Sequence, residues 1–342
     1  MMPRLATLLF VVVLGLGLVG LELVQRWQTR LSIPGGGHYL AVGPGQSLRS
    51  VADTLHGQGV VPYPRLLLLY GRWSGLDREI RPGEYLLPQY LDIKSLLLLL
   101  SKGEVIQYQV TIPEGISLQR TLLLLVREAG LEHVLDGVDD ARIRALIAPH
   151  TNPEGLFFPD SYRYERGTSD LQVLQRSRYL MEKILADEWA TRADKLPYKT
   201  AYDALIMASI IEKETGMAQE RAEIAGVFVR RLRKKMRLQT DPTVIYGLGS
   251  TFDGNLRRRD LKDASNLYNT YRHHGLPPSP IALPSREAIH AALNPAEGDA
   301  LFFVARGDGG HVFSSTLEAH QDAVKKYQLK RRENYRSSPE SP

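Results

Sequence analysis

The chain contains no cysteine. That absence excludes disulfides, thiolate metal sites and cysteine nucleophiles together, and it leaves the compartment open. It also lacks a Gly-rich phosphate loop and a Gly-x-Ser-x-Gly elbow, so phosphoryl transfer and serine hydrolysis have no support. None of His273, His274, His290, His311 and His320 forms a His-x-x-x-His or comparable pair with an acidic partner, and surface or structural roles are expected for them in place of a metal site. Charge of one sign is scarce in excess: 43 basic residues stand against 38 acidic, a formal +5. That implies tolerance of acidic partners and nothing stronger. What is present is a globular composition, 43% hydrophobic and 24% charged over 342 residues, long enough for two domains with their own cores.

Residues 1–30 read as a membrane anchor and linker. Arg4 precedes seventeen uncharged residues, 5–21, before Glu22, Arg26 and Arg30. The run is at the low end for a span and long for a cleaved signal core, and no small-x-small cleavage site follows it. An uncleaved signal anchor is expected, with the body exported; a removed signal peptide is the alternative.

From residue 38 to 108 short β-like runs alternate with Leu-rich helical ones. Ser47 is placed to cap a helix carrying Leu48, Val51 and Leu55 on one face. Gly115, Ser117 and Leu118 repeat Gly45, Ser47 and Leu48 seventy residues later, predicting two strand-turn-capped-helix units, although Gly-x-Ser-Leu is also plain capping chemistry. Between them Pro82-Gly83 is a turn, residues 84–87 a strand, and residues 93–100 a helix closed by Gly103. Five consecutive leucines, 96–100, are too few to span a bilayer and read as a buried helix core.

A helix-rich tract covers residues 171–238. A Pro-, Gly- and Tyr-rich segment, 240–284, then suits loops around a cleft, with Asp241 as a helix cap and Pro242 behind it. A helix over 285–293 and a hairpin around the turn 307–310 follow. Arg230, Arg231, Arg233, Lys234, Lys235 and Arg237 read as a solvated helix face beside a buried stripe of Val227, Phe228, Leu232 and Met236. Nucleic acid is not an expected partner.

The stretch "MASIIEKETG" breaks an apolar helix with Glu212, Lys213 and Glu214. Glu212 shares a helical face with Leu205, Ala208, Ser209 and Gly216; Glu214 sits with Ile210, Ile211, Met217 and Ala218. A carboxyl among apolar neighbours has its charged form disfavoured and can serve as a general acid near neutral pH. A solvated helix end is the plain alternative, and helical geometry does not choose between the two glutamates. Tyr268, Asn269, Thr270 and Tyr271 offer the aromatic faces and polar groups that suit carbohydrate.

Taken together, "ASIIEKET", "RLRKKMRLQTDPTVIYG", "YNTYRHHGLPP", "HVFSSTLEAH", "IPEG" and "EGLFFPDSY" resemble, in order and spacing, the endolytic murein transglycosylases of the YceG-like (MltG) family. The resemblance runs nearly the whole chain. It departs at Asn266-Leu267, where relatives commonly carry Ser-Pro, and at Ser279, where Gly often follows the two prolines. It implies an α+β protein: an N-terminal transmembrane helix, a LysM-like small α/β module over 37–110, and a helix-rich catalytic domain over 111–330 with a glycan-binding cleft. A charged flexible tail, 331–342, would end the chain.

Carried over, the resemblance puts the catalytic glutamate on Glu212, with Gln239, Asp241, Thr243, Tyr268, Asn269 and Tyr271 lining the cleft. It implies a single-pass inner-membrane protein facing the periplasm, acting on nascent peptidoglycan glycan strands, with peptidoglycan synthases as candidate partners. One carboxyl would cleave the MurNAc-GlcNAc bond to a 1,6-anhydroMurNAc end, without water, metal or cofactor. A hydrolytic muramidase using a second acid such as Asp241 or Asp253, and a non-enzymatic wall-binding scaffold, are the alternatives.

Overall fold

Period-two and period-3.6 patterns alternate along the chain, and the computed structural model shows the corresponding mixed α+β architecture with many helices. It describes residues 30–329 and scattered positions between Phe10 and Glu22. Most of the expected anchor, 5–21, and the whole tail, 331–342, lie outside the described residues. Among those described, no helix is long and apolar enough to cross a membrane. The chain divides into two units: Met1–Tyr108 with Arg163–Thr168, and Gln109–Tyr162 with Ser169–Pro342.

In the first unit strand β1 (His38–Val42) pairs antiparallel with β2 (Gly83–Leu87), Leu40 opposite Tyr85. Alternation places Leu40, Val42, Tyr85 and Leu87 in the core and leaves Tyr39 and Leu86 exposed. Three helices cover the buried face: α1 (Leu48–Gly57), α2 (Pro64–Ser74) and α3 (Ile93–Lys102). Ser47 and Asp92 cap α1 and α3 through their side-chain oxygens, and Gly103 ends α3 in the left-handed region at φ 70°. Gly71 of α2 is required by packing, because a Cβ there would meet Leu48 Cδ2 at 2.3 Å. The leucine run forms the core as expected: Leu96, Leu97 and Leu100 are fully buried, while Leu98 is 37% exposed.

The second unit is built on helix α7 (Ala201–Glu214). Before it in this unit come α4 (Leu118–Arg127), capped by Ser117, the short α5 (Ala141–Ile147), and α6 (Asp170–Ala190), opened by a Ser169-Gln172 capping box. All residues of α7 from Ala204 to Ile211 are buried. A helix apolar on every side must be enclosed on every side. α7 is packed by α6, by α8 (Arg221–Arg233), by α9 (Asp241–Leu248) and most extensively by α11 (Arg286–Leu293). It stops at Glu214 because Thr215 is extended, φ −144° and ψ 138°. The short α10 (Arg258–Lys262) lies in the loop after α9. Beyond the short strands β3 (Tyr108–Thr111), β4 (Leu131–Glu132), β5 (Ser161–Tyr164) and β6 (Thr168–Ser169), β7 (Phe302–Ala305) and β8 (His311–Ser314) form the expected hairpin, followed by α12 (Leu317–Val324).

Two expectations need correction. Thr240, extended at φ −118°, occupies the cap position of α9, with Asp241 and Pro242 the first helical residues. Its hydroxyl makes no cap because it donates to Glu214 instead. The basic helix is not solvated along its whole face either. Arg230 Nε donates to Ala300 O at 2.7 Å, and Arg231 donates to Leu301 O at 2.7 Å and Leu238 O at 2.6 Å. The Ala300 and Leu301 carbonyls lie just before β7 and that of Leu238 just before α9, in backbone outside the helices and strands, so the guanidinium groups turn inward to satisfy them.

Leu97→Ala is expected to cost about 2–5 kcal/mol through a cavity, and Leu98→Ala under ~1 kcal/mol. Urea melts of the two variants check the contrast.

Candidate active site

Successive helical residues are turned by about 100°, so Glu212 and Glu214 leave α7 on nearly opposite sides. Their surroundings differ accordingly.

The Glu212 side chain is 7% exposed. Its Oε2 accepts from Ser285 N at 2.9 Å and from the Ser285 hydroxyl, and its Oε1 accepts from Arg221 Nη2 at 3.3 Å. Ser285 caps α11 and Arg221 opens α8, so Glu212 ties together three helices. Arg221 also lies 3.9 Å from Glu114 of the Ile-Pro-Glu-Gly turn, and Lys213 donates to Gly115 O at 3.0 Å. Burial first, and then the Glu212 charge, push the Glu114 carboxyl above its ordinary value. The helical face that Glu212 shares with Ala208 and Ser209 is closed: both are fully buried, and Ser209 Oγ accepts from Ile281 N.

Glu214 lies at a cavity of about 570 Å³. Its Oε1 accepts from the Thr240 hydroxyl. Burial pushes its carboxyl up to about 7; the Thr240 hydrogen bond opposes the shift, the Asp241 charge adds to it, and Arg231 opposes it. Gln239, Asp241 and Tyr271 line the same cavity. The Tyr271 hydroxyl donates to Asp241 Oδ1 at 2.6 Å, while Gln239 and Asp241 are exposed. Gln239 sits at φ 53°, a left-handed conformation that costs a non-glycine residue about 1 kcal/mol or more. It is held there by its own N–H on Thr270 O at 3.2 Å.

The other sequence-predicted residues support this wall from behind. Thr243 is fully buried, its hydroxyl 2.9 Å from that of Thr270, which also accepts from Thr240 N at 3.1 Å. Asn269 is fully buried as well. Its Nδ2 donates to the carbonyls of Asp260, Leu261 and Asp263, and its Oδ1 accepts from Tyr271 N at 3.0 Å. Tyr268 bonds Ser279 Oγ at 2.7 Å and Asn152 Nδ2 at 3.2 Å, away from the cavity-lining set. The structure thus gathers Gln239, Asp241 and Tyr271 round Glu214, and gathers none of the six round Glu212.

Sequence reasoning missed Glu154, which is 5% exposed. It accepts from Leu118 N at 3.0 Å and from the Tyr246 hydroxyl at 3.4 Å, and burial lifts its carboxyl to about 7 against these hydrogen bonds. By bonding the first residue of α4 it fixes the turn that carries Glu114 and Gly115. Its only signal in the sequence was membership of "EGLFFPDSY". Asp253 forms an ion pair with Arg257 and does not line the cavity. Among the described residues no cluster suited to a metal ion occurs.

A carboxyl protonated near pH 7 at the wall of an open polar cavity can donate a proton to a bound substrate and take one back. The sequence profile of the YceG-like family matches residues 40–326, and the chain belongs to that family. A protein of Bacillus subtilis (strain 168) named endolytic murein transglycosylase is 29% identical over 301 residues, covering 83% of this chain and 82% of that protein. A Streptococcus pneumoniae protein (serotype 2, strain D39) of the same name is 27% identical over 318 residues, covering 83% of this chain and 57% of its own length. The crystal structure of a yceG-like protein from Listeria monocytogenes superimposes with a TM-score of 0.54 at 26% identity, over 83% of this chain and 98% of that one. The α+β arrangement is accordingly a YceG-like fold.

Because the folded state holds a proton on Glu214 up to about pH 7, while an unfolded glutamate releases it near 4.3, this residue makes stability fall as pH rises between those values. Glu214→Gln removes that loss. It is expected to melt higher than the parent by the equivalent of ~1–3 kcal/mol at pH 8 and to match it at pH 4, as calorimetry at the two pH values would show.

Proposed function

We propose that this protein is an endolytic peptidoglycan lytic transglycosylase and that Glu214 is its acid. The observation that carries the assignment is the Glu214 carboxyl, raised to about 7 by burial at a cavity shared with Gln239, Asp241 and Tyr271. The relatives named endolytic murein transglycosylase support the substrate class. Glu212, on which the sequence resemblance placed the reaction, is engaged on both oxygens by Ser285 and Arg221, and the geometry favours a scaffolding role for it.

In this reading the protonated Glu214 gives its proton to the glycosidic oxygen between N-acetylmuramic acid and N-acetylglucosamine, and the bond from that oxygen to the muramyl C1 breaks. The muramyl C6 hydroxyl oxygen attacks C1, and its proton passes to the Glu214 carboxylate. The product is a 1,6-anhydro end; no water is consumed and the acid is regenerated. The Thr240 hydroxyl remains as a donor to the carboxylate between the two transfers. A second carboxylate is not required, whereas hydrolytic glycosidases normally use a pair. Asp241 lines the same cavity, with one oxygen bonded to Tyr271. It is the residue a hydrolytic route would need.

The wider reading is that residues 1–30 anchor the chain in the inner membrane, that the first unit is a LysM-like module, and that the second unit works in the periplasm on nascent strands beside a synthase. Cleavage within a growing strand would end its elongation.

Purified glycan strands digested with the protein should acquire anhydro ends, identified by mass spectrometry. Glu214→Gln is expected to lower the rate ~100-fold or more, and Glu212→Gln to retain measurable cleavage with reduced stability. Loss in the Glu212 variant with full activity in the Glu214 variant would reverse the assignment, and reducing ends in place of anhydro ends would establish hydrolysis. Since the acid must be protonated to act, the rate should fall as pH rises through about 7.

A further inference from the structure

The cavity that holds Glu214 has a second wall, made by β7, β8 and α12, whose polar groups the reaction above leaves unused. His311 opens β8 there with its side chain 6% exposed. Glu220, just before α8, spends both carboxyl oxygens on this one residue. Oε1 accepts from His311 N at 2.9 Å, and Oε2 is 2.7 Å from His311 Nδ1. Glu220 is itself buried, and Gly310 lets it approach the strand, since a Cβ there would stand 2.9 Å from Oε1. Phe303 meets the imidazole edge-on, with centroids 5.4 Å apart at 87°.

Burying a carboxyl group is costly unless its hydrogen bonds are well made. Here its product is a single imidazole held in one orientation. A carboxylate only accepts, so Nδ1 carries a proton, and in the neutral ring Nε2 is left as an acceptor. No described residue bonds Nε2. Phe302 and His320, which line the same cavity, stack at 5.2 Å and 21°, an apolar face of the kind on which sugar rings pack, and the enclosed His320 Nδ1 has no hydrogen-bond partner among the described residues.

We propose that His311 is a substrate-binding residue of the glycan site, its Nε2 accepting a hydrogen bond from a sugar hydroxyl of the strand held against Glu214, and that Glu220 is the positioning residue that sets its tautomer. This rests on the transglycosylase reading above. The Glu220→Gln substitution has a defined consequence: its amide oxygen can satisfy His311 N, which turns the amide NH₂ toward Nδ1. The ring proton then moves to Nε2, and the acceptor becomes a donor.

The test is steady-state cleavage of purified glycan strands by the full-length protein, with melting temperatures measured alongside. His311→Ala and Glu220→Gln are each expected to lower kcat/KM roughly 10- to 100-fold. His311→Gln, whose amide reaches the position of Nε2, should recover to within about 5-fold of the parent, and the double variant His311→Ala with Glu220→Gln should be no worse than His311→Ala alone. A His311→Ala protein that melts like the parent and cleaves within about 2-fold of it overturns the proposal, as does a His311→Gln protein no better than His311→Ala. Where His311→Ala does not fold, Glu220→Gln within about 2-fold of the parent overturns it. If the parent yields no anhydro ends, the transglycosylase reading is what falls. The variants are then compared in cosedimentation with glycan strands, where His311→Ala binding as tightly as the parent overturns the His311 assignment.

Discussion

The second unit depends on the complete burial of one helix. Residues 204–211 of α7 present no face to solvent, so other helices must close round it, and its charged side chains stand only toward its ends. At its C-terminal end two glutamates emerge on opposite sides. One is turned into the packing, where Arg221 and Ser285 meet both of its oxygens. The other is turned to a cavity wall with a single hydroxyl for a partner. The same residue type two positions apart thus becomes a joint between helices in one case and a carboxyl whose charged form burial disfavours in the other. A buried carboxyl that is fully met by donors is held in place, and one that is incompletely met keeps its proton.

Around that end the polar residues divide into those that face the cavity and those that hold the backbone facing it. Thr240, Thr243 and Thr270 join the start of α9 to the Tyr-Asn-Thr-Tyr segment through hydroxyl contacts. Asn269 replaces a secondary-structure ladder by binding three carbonyls with one amide group. Such a support lets Gln239 persist in a left-handed backbone conformation at the cavity it shares with Glu214. Two cations of the Arg-rich helix serve the same end, holding the carbonyls that lead into β7. Charge that a sequence presents as a surface face is here used to satisfy irregular backbone.

Much of the fold is legible in local signals. Ser47, Asp92, Ser117, Ser169 and Ser285 cap helices where the hydroxyl or carboxylate precedes a periodic apolar run, and the leucine run 96–100 packs as a core. These features depend on neighbours three or four positions away. The site is less legible. Glu154 meets α4 across thirty-six positions, and Glu212 meets Ser285 across seventy-three. A one-residue shift of the α9 cap followed from the same cause, since the hydroxyl of Thr240 was already committed to a carboxyl twenty-six positions earlier.

The sequence by itself determined the class of the molecule: the family to which its ordered motifs belong, the α+β elements, the exclusion of thiol chemistry, and the placing of two glutamates at the end of one apolar helix. Which of the two glutamates is met by an arginine and a serine and which borders a cavity, and which of the aromatic, amide and hydroxyl residues line that cavity, the tertiary structure alone decided. Periodicity assigns a side chain to a face of its own helix. Whether that face meets a guanidinium, a serine or a cavity depends on segments far away in the chain, and that environment sets whether a carboxyl is met by donors or has its charged form disfavoured by burial.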